Sequence, residues 1–180
     1  KGLADISYNV HVVTFYSGGF FWDELEKITN VKLHSLNRKN KLDFSIIFKL
    51  ARYCKNNEID IVQAFLAPSA VIASFAVLMY KIPLIVGIRS SDMNFLFGAR
   101  IYKYAEKILG NLVAKFYVSN SNAGMQYNCS IGYERSKMKV IANGLDGPVV
   151  GFDAPFKDNV VIRLGLIGRL WPVKDIPTML

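Results

Sequence analysis

The sequence predicts an α/β fold, a doubly wound parallel sheet, and three observations predict it. Apolar, β-branched runs alternate with helical patterns along most of the chain. The run Leu84–Ile88 is continuously apolar, as a parallel strand is when helices cover both faces of its sheet. Turn signals such as Ser17-Gly18-Gly19 and Lys81-Ile82-Pro83 punctuate the runs. Folds of this class bind ligands at the carboxyl ends of their strands.

The elements follow in chain order. Val10–Phe15 is a β-branched strand ended by Ser17-Gly18-Gly19, and Val31–Leu36 is a short alternating strand. Asp43–Asn57 reads as a helix with Phe44, Ile47, Phe48 and Ala51 on one face. Ile59–Phe65 is the next strand; Pro68 and Ser69 interrupt the apolar run, and Ser69–Tyr80 is a short apolar helix. Leu84–Ile88 closes a βαβ unit. A helix spans about Gly98 to Val113, followed by the strand Phe116–Val118 and a helix capped by Ser121. Gly132 follows that helix, and Val140-Ile141 is a short strand. Gly144–Asp158, rich in glycine and proline, reads as a linker, after which Val160–Ile167 begins a new apolar strand.

Composition narrows the class. The 180 residues are 52% hydrophobic and 20% charged, which excludes a disordered chain. Ile61–Tyr80 carries no charge over a membrane-span length, but its internal turn signals make it two buried elements, not a span. Cys54 and Cys129 lie far apart with no paired spacing, so neither a disulfide scaffold nor a cysteine zinc site is expected, and a reducing cytoplasm fits. The ends, Lys1-Gly2-Leu3-Ala4 and a helix opening at Asp175-Ile176-Pro177, read as those of an internal fragment. The formal net charge of +8 points to an anionic partner. From Lys27 to Lys55 eight basic residues accompany a single acidic one, Asp43, and this group suits either a solvated face or an anionic membrane surface. No recognition motif accompanies the charge, so nucleic acid is not expected.

One constellation carries chemistry. In Gly165–Asp175 a strand ends at Gly168, and Arg169 and Lys174 flank a loop that feeds a helix start. Two cations beside free backbone N–H groups suit a phosphate without a metal, although a plain Gly-Arg turn beside a solvated lysine reads equally from these residues alone. His11 and His34 sit within strands and are expected to pack, not to catalyse.

The order of segments adds to this. Val118-Ser119-Asn120-Ser121, Ile131-Gly132-Tyr133, Lys139–Asp146 with its Asn143-Gly144-Leu145-Asp146, and Gly168-Arg169-Leu170 with Lys174-Asp175 together resemble the retaining GT-B glycosyltransferases of family 4. Lys1–Ala4 resembles the end of that family's first helix, ahead of its His-x-Val-Val-Thr strand. The resemblance implies a Rossmann-like acceptor-binding domain over residues 1–145 with its first strand missing, a linker over 146–158, and the start of a nucleotide-sugar-binding domain over 159–180. It implies that Arg169 and Lys174 clamp the donor diphosphate, that Gly168, Asn143, Gly144 and Asp146 shape loop and hinge, and that no cofactor or metal is needed. Gly144 is expected to supply a turn with positive φ.

Departures from the pattern leave the catalytic residues unknown. Where family members often carry a histidine after the Leu84–Ile88 strand, this chain has Arg89-Ser90-Ser91-Asp92, which makes Arg89 and Asp92 candidates. Gly18 and Gly19, beside Phe20, Phe21 and Trp22, are acceptor-side candidates. The implied activity is sugar transfer from a nucleoside diphosphate sugar to a glycan or lipid-linked acceptor in cell-surface polysaccharide synthesis. The protein would be cytoplasmic and peripheral on the inner membrane face, and the fragment alone inactive. A non-catalytic module binding phosphorylated ligands or anionic membrane is the rival reading, and a nucleotide-sugar epimerase is a second.

Overall fold

The computed structural model describes residues 2–6, 8–89 and 97–144. Residues Lys1–Gly144 form one compact unit, and Leu145–Leu180 lie outside the described residues. The order of elements is α1 (Gly2–Asp5), β1 (Val10–Thr14), α2 (Trp22–Glu26), β2 (Val31–Ser35), α3 (Ser45–Asn56), β3 (Val62–Phe65), α4 (Ala67–Leu78), β4 (Leu84–Ile88), α5 (Phe97–Val113), β5 (Ala114–Ser119), α6 (Asn122–Ser130) and β6 (Met138–Val140). Among the described residues every strand pairing is parallel.

Among the described residues the strands form two sheets where the sequence predicts one: β1 with β2, and a four-stranded sheet in the order β3-β4-β5-β6. Register in the first runs from Val10 opposite Val31 to Thr14 opposite Ser35. In the second, Phe65 lies opposite Gly87, and Ile88 opposite Ser119. The core sits around β4, whose Leu84, Val86 and Ile88 are buried together with Tyr117 of β5 and Ala70, Ile72, Ala73, Ala76 and Val77 of α4. Small residues on α4 let it lie close to the sheet, and its one buried hydroxyl, on Ser74, is satisfied by donating to the Ala70 carbonyl at 2.8 Å.

Two helices depart from the sequence reading. On α3 the buried stripe is Ile46, Leu50, Ala51 and Cys54, while Phe44 and Phe48 are 59% and 64% exposed. Phe48 lies two positions beyond Ile46, about 200° around the helix, so the phenyl ring faces away from Ile46. Ala51, common to both stripes, and the partly buried Ile47 still pack on the core; packing sets the helix's rotation. The branched and smaller side chains fill the space over the sheet, and the phenyl rings turn outward. Helix α4 starts at Ala67, with Pro68 in its first turn, instead of after the proline. A first-turn proline loses no hydrogen bond that the helix would otherwise make. Among the described residues no helix is long and apolar enough to cross a membrane, in agreement with the reading of Ile61–Tyr80.

Candidate functional site

Parallel pairing brings the carboxyl ends of β3, β4, β5 and β6 to one edge. Gly87 is the key to its geometry. A Cβ there would lie 2.8 Å from Cδ1 of Phe65 on the neighbouring strand, so the glycine makes room for that ring to lie across β4. The Arg89 guanidinium then sits over the Phe65 ring, 5.5 Å from its centroid. Nη1 of Arg89 also donates to Oδ1 of Asn143, 54 residues further along the chain.

Asn143 reaches this edge because the chain beyond β6 is tied down. The Ile141 amide donates to the Ser119 carbonyl at 2.9 Å, extending the β5–β6 pairing beyond Val140. Next to it, Ser119 Oγ donates to the Ser121 carbonyl, and Ser121 Oγ accepts from the Gly124 amide at 3.0 Å as the cap of α6. Gly124 is itself required by close approach, since a Cβ would lie 2.8 Å from Ser119 Oγ. The expectation that Ser121 caps a helix is met.

The edge therefore presents an exposed, oriented guanidinium. Of its N–H donors only Nη1 has a side-chain partner among the described residues, and the Phe65 ring lies beneath the guanidinium. Such a group suits phosphate, carboxylate or sugar hydroxyl oxygens. Arg89 and Asn143, read separately from the sequence, are thus brought together. Phe65 and Gly87 were missed; the signal for them was a lone glycine inside an otherwise branched strand, which marks a close approach.

Other candidates fall elsewhere. Gly18 and Gly19 follow β1 in the other sheet, with φ of 77° and 119°, and no atom lies within 4 Å of a Cβ built on either. Gly144 does not adopt the positive φ expected of it: among the described residues the glycines that do are Gly18, Gly19 and Gly132. The hinge segment reaches it in ordinary backbone geometry, so no left-handed turn is needed there. Asp92, Asp146, Gly168, Arg169 and Lys174 lie outside the described residues. The histidines pack, as expected. His11 Nδ1 is 2.8 Å from the Tyr53 hydroxyl, and His34 stacks on the Tyr53 ring. Burial, and then Lys32, lowers the His11 pKa. Among the described residues no cluster of His, Cys, Asp and Glu could hold a metal ion.

Parallel strands joined by helical crossovers, with a cation positioned at their carboxyl edge, define a Rossmann-like α/β domain. The chain belongs to Glycosyltransferase Family 4, whose family profile matches residues 1–147. No curated protein matches it. Among solved structures it is similar to Anabaena Alr3699/HepE in complex with UDP and glucose, at 22% identity and a TM-score of 0.62, over 76% of this chain and 37% of that one. The same protein in complex with UDP-glucose gives 22% identity, a TM-score of 0.62, and coverage of 76% and 36%. The chain thus spans little more than a third of the length of these structures, and the likeness is one of fold.

Proposed function

We propose that the whole protein transfers a glycosyl group from a nucleoside diphosphate sugar to a glycan or lipid-linked acceptor, with retention of configuration, in cell-surface polysaccharide synthesis. The bond between the anomeric carbon and the diphosphate breaks, a bond to the acceptor oxygen forms, and the acceptor hydroxyl loses its proton. The observation that carries this reading is membership of Glycosyltransferase Family 4 over residues 1–147. The Arg89–Phe65–Asn143 edge supports it, because it offers fixed N–H donors where such sheets bind ligands. Anabaena HepE, a protein of similar fold, has been crystallised with UDP and with UDP-glucose.

In this reading Arg169 and Lys174 neutralise the departing diphosphate and Arg89 orients a substrate oxygen. The test incubates the full-length protein with a panel of UDP- and GDP-sugars plus acceptor and measures nucleotide release. Arg169→Ala and Lys174→Ala are each expected to lower turnover by about 100-fold or more, the loss typical of removing a donor that stabilises transition-state charge. Arg89→Ala is expected to lower it by about 10-fold or more. Release unchanged in all three overturns the site assignment. Binding without turnover favours the non-catalytic module, and conversion of the sugar nucleotide without acceptor favours an epimerase.

A second observation favours contact with an anionic membrane. Phe20, at 87% exposure, Phe21, Leu42 and Phe44 are exposed on the segments that follow β1 and β2, together with Lys39 and Lys41. Arg38 ties these segments together by stacking over Phe15 and by donating its amide to the Phe15 carbonyl. Rings flanked by cations suit a headgroup layer. Cosedimentation with vesicles containing phosphatidylglycerol but not with neutral vesicles is the expected result; equal partition to both overturns it.

A further inference from the structure

Asn143-Gly144 is the one Asn-Gly pair in the sequence, and its asparagine is the residue that the Arg89 guanidinium holds. Both residues are exposed and lie beyond β6, outside every helix and strand of the described residues. The Gly144 amide is therefore not engaged in a ladder or a helical turn. A Cβ built on Gly144 would meet nothing within 4 Å, and its φ lies outside the left-handed region.

These features assemble the two halves of a chemical step. With no side chain on Gly144, its backbone nitrogen can approach Cγ of Asn143 unhindered by a Cβ. The asparagine carbonyl is the electrophile. Nη1 of Arg89 donates to its Oδ1 and draws electron density from Cγ, while the Phe65 ring lies beneath the guanidinium. A cationic donor on a carbonyl oxygen stabilises the negative charge which that oxygen gains when a nucleophile adds. The Ile141 amide, bonded to the Ser119 carbonyl at 2.9 Å, keeps the segment at this edge. Asn111 shows the contrast. Its Nδ2 donates to the Gly132 carbonyl at 3.0 Å, its Oδ1 accepts from the Tyr117 hydroxyl and the Glu134 amide, and Leu112 follows it within α5.

We propose that Asn143 is a site of spontaneous deamidation promoted by Arg89, and that the carboxylate it yields pairs with the site's cation. The Gly144 nitrogen bonds to Cγ, and its proton passes through solvent to Nδ2. The Cγ–Nδ2 bond breaks, ammonia leaves, and a succinimide ring remains. Water then adds to a ring carbonyl, and the ring opens to aspartate or isoaspartate at position 143, whose carboxyl proton goes to solvent. Water is the sole co-reactant, and nothing is oxidised or reduced. In either product a carboxylate replaces the neutral amide within reach of the guanidinium, and a charge-assisted pair replaces a hydrogen bond to a neutral acceptor. A substrate phosphate or carboxylate approaching Arg89 then meets a negative charge beside it, a consequence for turnover that rests on the transferase reading, whereas the modification itself does not.

The full-length protein, held folded at neutral pH and then digested, tests this by mass spectrometry of the peptide carrying Asn143, where replacement of an amide nitrogen by oxygen registers as a mass gain. Asn143 is expected to react while Asn111 does not. Arg89→Ala is expected to slow the reaction by about 10-fold or more, the worth of one hydrogen bond to a charged group. Gly144→Ala is expected to slow it further, and the open space around Gly144 admits the added methyl group. In urea the parent and Arg89→Ala are expected to react at the same rate, because unfolding removes the contact. For the ion pair, Asn143→Asp is expected to unfold at higher urea than Asn143→Ala in the parent background, and the gap is expected to shrink when Arg89→Ala is added. An unreactive Asn143, a rate in Arg89→Ala equal to or above the parent's, a difference that persists in urea, or no coupling between positions 89 and 143 overturns the proposal.

Discussion

Strands β1 and β4 are five residues long, parallel to their neighbours and rich in branched apolar side chains, yet they live in different surroundings. In β4, flanked by β3 and β5, four of the five residues are buried. In β1, paired among the described residues with β2 alone, none is, and all five are half-buried. The sequences Val-His-Val-Val-Thr and Leu-Ile-Val-Gly-Ile do not account for this by themselves. Burial of a parallel strand comes from having a partner on both edges and helices on both faces. The difference therefore measures pairing more than hydrophobicity, and it can be broken or sharpened by substitution.

The largest effect is expected at the paired end of the comparison. Leu84→Ala removes a fully buried side chain from β4 and is expected to cost about 2–5 kcal/mol, by transfer and by the cavity left behind. Val12→Ala, in the half-buried β1, is expected to cost about 1 kcal/mol in the 180-residue chain. Urea unfolding of both variants checks the pair; equal costs would erase the distinction between the sheets. Next comes Ser121→Ala, which removes the cap of α6 at the end of β5 and is expected to cost about 1 kcal/mol. A loss confined to the amides of α6 and the Ile141–Asn143 segment in hydrogen exchange would show that the cap also steadies Asn143.

The smallest effect sharpens the electrostatics of the well-buried half. Glu106 of α5 is 2% exposed; burial raises its pKa, opposed by Lys103 at 3.4 Å. The folded state thus holds this proton more tightly than the unfolded chain, whose carboxyl titrates near 4.5. Its contribution to stability is full below that value and declines as the pH rises through the raised folded value. Glu106→Gln removes the titration, so the stability of the variant relative to the parent is expected to grow as the pH rises from 4.5 and then level off. Urea midpoints at a series of pH values check this, and a constant difference refutes it.

Legibility followed the range of the interaction. Ser121 as a cap and the turn at Gly18-Gly19 were readable because each depends on residues a few positions apart. The buried stripe of α3 was not, because Phe44 and Phe48 satisfy helical spacing as well as Ile46 and Leu50 do, and only the sheet beneath distinguishes them. At the site, Arg89 and Asn143 were each singled out, but nothing local joins residues 54 positions apart. Gly87 held a readable sign of a close approach, though not the identity of the ring that approaches.

By itself the sequence determined the alternation of strands and helices, the caps and turns between them, and the kinship of its ordered motifs with a glycosyltransferase family, since backbone geometry imposes its periods residue by residue. Tertiary structure alone decided which strand edges are paired, which face of α3 is buried, and that a ring from β3 and an amide beyond β6 hold Arg89 in place. Those choices depend on packing and hydrogen bonding between distant segments, and distance along the chain carries no record of them.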